Sequence, residues 1–76
     1  MAKALCELKK GEKATLKCVN NPQLELKMLE FGFVKGTTLT VTGCAPFGDP
    51  AIIECTCTKL ILRKSETSQI MVEPQV

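Results

Sequence analysis

The sequence predicts a mainly β fold: a small, strongly bent five-stranded barrel with one short helix between its first and second strands. Three observations carry this reading. Short segments alternate apolar and polar residues at the strand period, glycines and prolines punctuate them every few residues, and a single stretch shows helical spacing instead. A closed or nearly closed sheet also hides edges that an open sheet of three or four strands exposes. Seventy-six residues suffice for one domain, with a core spanning about residues 5–73.

At the start, "LCEL" can bury Leu5 and Leu8 in a single turn before Gly11. Residues 12–19, "EKATLKCV", place Ala14, Leu16 and Cys18 on one face and Lys13, Thr15 and Lys17 on the other, a half-buried strand. In "NNPQLELKMLEFG", Asn21 suits an N-cap and Pro22 the first helical position, where its missing N–H costs nothing. Leu24, Met28 and Phe31 then recur at i, i+4 and i+7, and Gly32 fits the position that ends the helix after about ten residues.

A turn at Lys35-Gly36 leads into a second strand, with Leu39, Val41 and Gly43 set against Thr38, Thr40 and Thr42. "APFGDP" is a connection. "AIIECTC" alternates Ala51, Ile53, Cys55 and Cys57 against Ile52, Glu54 and Thr56 as a third strand. "KLILRK" is a fourth, with Leu60 and Leu62 on one face. "SETSQ" reads as a short turn or helical step that Ser65 can cap, and "IMVE" closes a fifth strand that ends at Pro74.

Composition excludes several functions. With no histidine there is no imidazole base and no Cys–His or Ser–His pair, and the chain is read as a non-enzyme. Asp49, the sole aspartate, sits in a tight turn where its carboxylate can accept backbone N–H groups. A net charge of +2 without a basic stripe, and only Phe31, Phe33 and Phe47 as aromatics, argue against direct nucleic-acid binding. No apolar run reaches membrane-spanning length, and "MAKALCELKK" has no apolar core of a secretory signal, so a cytoplasmic location is expected.

Five cysteines at irregular spacing are read as reduced thiols. Packing is the plain reading, since cysteine is among the most buried residue types. The alternative is a soft-metal (Zn or Cu) or redox thiol module using Cys44, Cys55 and Cys57, with Cys55-x-Cys57 at strand spacing. Leu24, Met28, Leu29, Phe31 and Phe33 cannot all fit beneath so small a barrel. Some of them, with Leu26 on the far helical face, are expected to form a partner-binding patch.

In order and spacing, "MLEFGFVKG", "APFGDP" and "LILRK" resemble the FeoA family, small ferrous iron transport proteins of bacteria. The match runs from about Leu5 to Glu73. Ala45, Pro46, Gly48, Asp49 and Pro50 form its turn marker. The resemblance implies an SH3-like barrel that assists a large membrane permease, FeoB, bearing a cytoplasmic G-protein domain. No cofactor is expected, nor iron carried by the chain itself, since a ferrous site favours His, carboxylate and water ligands. The same module occurs in iron- and manganese-responsive repressors. With Met1 just ahead of the matching stretch, the stand-alone transport accessory, held at the inner membrane through its partner, is the expected form. Two departures stand out: the helix carries Glu25 and Glu30 with only Lys27, and Lys35 replaces the proline before the turn glycine.

Overall fold

The alternating segment "KATLKCV" becomes a central strand on which the others are laid. In the computed structural model, which describes residues 2–45, 49–56 and 58–75, β2 (Lys13–Val19) lies between β3 (Thr38–Cys44) and β6 (Ile70–Pro74). Beyond β3 come β4 (Ala51–Cys55) and β5 (Thr58–Leu62), and beyond β6 lies β1 (Lys3–Ala4). The sheet order is β1-β6-β2-β3-β4-β5, with every described pair antiparallel. The five expected strands are therefore β2 to β6. The sixth, β1, has two residues, too few for any alternation to show, and exists because Lys3 and Ala4 find Val72 and Met71 beside them.

Two irregularities bend this sheet. The β2–β6 register shifts between Leu16 and Cys18, and the β3–β4 register between Val41 and Gly43. An extra residue in one strand of a pair sharpens twist and bends the ladder. At the second site the Thr42 hydroxyl donates to the Ile52 carbonyl at 3.4 Å. Gly43 fits closely there: a Cβ would sit 3.3 Å from Ile52 Cδ1, so a larger residue would have to displace the end of that side chain. Bending brings Ala14, Leu16, Leu39, Ile53, Leu62 and Val72 around one core. The 3-10 turn Leu5–Glu7, after β1, packs on α2 (Lys64–Thr67), after β5. The two ends of the ladder are thus joined by helical turns. Leu5 and Leu8 are buried there as expected.

Helix α1 (Pro22–Glu30) begins as its sequence dictates. Asn21 Oδ1 accepts from the N–H groups of Gln23 at 3.0 Å and Leu24 at 3.1 Å, with Pro22 in the first turn. Its C-terminus corrects the expected stripe. Gly32 adopts φ +87°, its N–H donates to the Leu29 carbonyl, and the Phe33 N–H donates to the Met28 carbonyl at 2.9 Å. This paired closure reverses the chain and drops the residue after the glycine onto the last inward-facing turn. Phe33, not Phe31, therefore joins Leu24 and Met28 in the core.

The step before β6 also differs. Ser65 lies within α2 and does not cap it; Arg63 is the cap residue. The Lys64 N–H donates to Asp49 Oδ1 at 2.9 Å, and the Arg63 N–H to Glu66 Oε1 at 3.0 Å. A cap supplied from the connection between β3 and β4 leaves no local sequence signal. Thr67, the buried polar residue of the core, donates its hydroxyl to the Lys64 carbonyl.

Met28→Ala is expected to lower stability by about 2–5 kcal/mol, as a buried side chain lost to a cavity does. Leu26→Ala should stay within about 0.5 kcal/mol. Urea unfolding followed by circular dichroism measures both, and equal losses would contradict the division of the helix described above.

Candidate functional site

The expected patch resolves into two populations. Leu24, Met28 and Phe33 are buried and have no surface to offer. Leu26 is 61% exposed, Leu29 46% and Phe31 45%. Leu26 and Leu29, three residues apart, share a helix flank turned away from the Leu24–Met28 stripe. Phe31 stands at the helix exit, and Val34, which the sequence reading did not single out, is exposed just beyond Gly32. Its signal was Phe33: once that ring points inward, its neighbour in extended chain points out. Lys27 Nζ lies 3.7 Å from Glu66 Oε2, linking the helix to α2 by an ion pair that is largely exposed and so contributes little energy. Among the described residues no pocket or cleft interrupts the surface. An apolar ridge of this kind suits a macromolecular surface better than an enclosed small molecule.

The turn marker serves structure. The Ala45 N–H donates to the Pro50 carbonyl at 3.1 Å, closing the connection between β3 and β4, and Asp49 caps α2. Its remaining members, Pro46 and Gly48, with Phe47 between them, lie outside the described residues.

The structure does not bring Cys44 and Cys55 together. Cys44 is exposed at the end of β3, opposite Ala51. Cys55 is buried at the far end of β4, four residues and therefore about 13 Å further along the strand. Cys57 lies outside the described residues. In sequence these thiols flank one turn, but β4 runs away from that turn and carries Cys55 with it. Cys6 and Cys18 are half-buried, and no cluster of three or more His, Cys, Asp or Glu forms among the described residues. Thr56, at φ +56°, follows Cys55, which pairs with Thr58 at the start of β5.

These features define a class: a small SH3-like β module that presents an open apolar ridge. The chain belongs to the FeoA domain family, which matches residues 3–74. It is similar to an Fe(2+) transport protein A/Fe(2+) transporter FeoB fusion protein of Porphyromonas gingivalis, 37% identical over 70 residues. That match covers 91% of this chain but 8% of the fusion protein. The solution structure of FeoA from Chlorobium tepidum superposes with a TM-score of 0.88 at 32% identity, covering 96% of this chain and 70% of that one. A zinc complex of FeoA from Stenotrophomonas maltophilia, described as an SH3 domain protein, gives 0.79 at 28% identity, covering 92% and 88%.

The cysteine geometry has a direct check. With iodoacetamide on the native protein, Cys44 should be alkylated readily and Cys55 only after denaturation, as read by peptide mass spectrometry. Equal labelling of the two would contradict the placement of Cys55 in the core.

Proposed function

We propose that this chain is an accessory binding module of ferrous iron uptake that docks on an FeoB-type permease. The Leu26–Leu29 flank and the Phe31–Val34 corner are the docking surface. The single observation that carries the reading is the Porphyromonas gingivalis relative, which joins an FeoA-type and an FeoB-type protein in one polypeptide. Fusion holds two partners at high effective concentration, an arrangement useful to proteins that act in contact. The exposed ridge supplies a means of contact: four large apolar side chains face solvent around one end of α1, with no core role to explain them. A chain without histidine supports binding over catalysis. Docking would bias the permease's assembly or the nucleotide state of its G-protein domain. On this reading the module acts from the cytoplasm and reaches the inner membrane through its partner; no described helix is long and apolar enough to cross a membrane itself.

The test is affinity between the purified chain and the cytoplasmic part of an FeoB-type permease, with ferrous uptake measured in a strain lacking the chain. Leu26→Asp/Leu29→Asp is expected to keep the fold and weaken binding by about tenfold or more, because truncating central apolar anchors dominates interface energies. No contact with the permease, together with unchanged uptake after deletion, would overturn the proposal.

A further inference from the structure

A second surface lies away from the helix, on β5. This strand ends the ladder, with β4 as its one strand neighbour among the described residues. The hydrogen-bond parity of β4 shows which groups of β5 are free. The Pro50 carbonyl accepts from Ala45, and the Ile52 carbonyl from the Thr42 hydroxyl. Even-numbered residues of β4 therefore point their backbone groups at β3, and odd-numbered ones point theirs at β5. The odd-numbered residues Ala51, Ile53 and Cys55 pair with Leu62, Leu60 and Thr58. What remains, the N–H and C=O of Lys59 and Ile61, faces the open edge. At Arg63 the edge stops, because its N–H and C=O are taken up by α2.

The side chains beside these groups state a preference. Ile61 is 63% exposed and sits in register with Ile52 on the outer face, forming a small apolar centre. Lys59 and Arg63, two residues to either side, are exposed; Lys59 stands opposite Glu54 of β4, and neither cation makes an ion pair among the described residues. A second copy of β5 fits this edge badly. Antiparallel pairing centred on Ile61 sets Lys59 opposite the copy's Arg63 twice, and pairing centred on Lys59 opposes two lysines. The register between them packs each lysine against the other's Ile61. Like charges directly opposed across a strand pair destabilise it. An extended segment with acidic residues two positions either side of an apolar one answers all three side chains, and its backbone satisfies Lys59 and Ile61.

We infer that the β5 edge takes an extended peptide segment of the pattern acidic-x-apolar-x-acidic as an added antiparallel strand. Main-chain bonds to Lys59 and Ile61 give attachment, Ile61 gives the apolar contact, and Lys59 and Arg63 select the charge. This surface is separate from the helix ridge and does not require the permease-docking reading.

The experiment titrates the isotopically labelled full chain with the acetylated, amidated heptapeptide Thr-Glu-Thr-Val-Thr-Glu-Thr, and with its analogue carrying lysine for both glutamates. Hydrogen exchange at the Lys59 and Ile61 amides should slow by about tenfold or more with the acidic peptide, while Leu60 and Leu62, already bonded to β4, change little. The double variant Lys59→Glu/Arg63→Glu should lose the acidic peptide and bind the lysine analogue. Ile61→Pro, which removes an outward N–H that the β4 ladder does not use, should abolish binding with the fold retained. If that variant fails to fold, the charge swap still decides. Equal response to both peptides, shifts centred on Leu26 and Leu29, or no binding of the acidic peptide would overturn the proposal. So would concentration-dependent protection of the same two amides in the chain alone, since the occupant would then be a second copy.

Discussion

Two extra residues, Lys17 in β2 and Thr42 in β3, hold the key to this small protein, because the bends they introduce let a sheet of short strands enclose a core. Six strands of two to seven residues could not bury both faces as a flat sheet. Curled, they need only one buried face, so alternation holds in β2 up to Leu16, in β3 up to Val41 and at the start of β6; past the extra residue in β2, Val19 packs on the core in place of Cys18. Gly43 belongs to the same constraint, since the bend presses β3 onto Ile52 where a methyl group would crowd. The Asp49 cap follows too: curvature carries the connection between β3 and β4 to the start of α2, fifteen residues later in the chain.

The helix shows how a core and a contact surface share nine residues. Leu24 and Met28 face the sheet, and the turn at Gly32 lets Phe33 complete their packing without lengthening the helix. That substitution releases Phe31. Leu26 and Leu29 were never on the inward stripe, so the helix keeps an apolar flank that the barrel is too small to cover. The module's exposed apolar area is thus a consequence of its size: a core of this volume accepts one helical face and no more.

The ridge on α1 and the edge on β5 differ in physical character. One offers apolar side chains and no free backbone. The other offers backbone groups, one isoleucine and two exposed cations, Lys59 opposite Glu54 and Arg63 at the strand's end. A protein surface suits the first and an extended acidic segment the second, so a single small domain can hold two partners or two parts of one. Cys44 and Cys55 belong to neither surface. Cys55 packs inside and Cys44 lies at a strand end.

By itself the sequence determined the elements whose signals are local: β2 to β6 from alternation, the start of α1 from Asn21-Pro22, and its end from Gly32. Strand periodicity and cap chemistry act within a few residues, so they are written where they act. Family membership was legible for the same reason, in ordered turn and strand motifs read from about Leu5 to Glu73, where the family model matches residues 3–74. Tertiary structure alone decided the pairing that creates β1, the distant cap on α2, the exchange of Phe31 for Phe33, and the separation of Cys44 from Cys55. Each depends on which residues meet after the sheet bends. It also decided which strand became the open edge, because order in a sheet is set by pairing across the fold and leaves no mark on the strand itself.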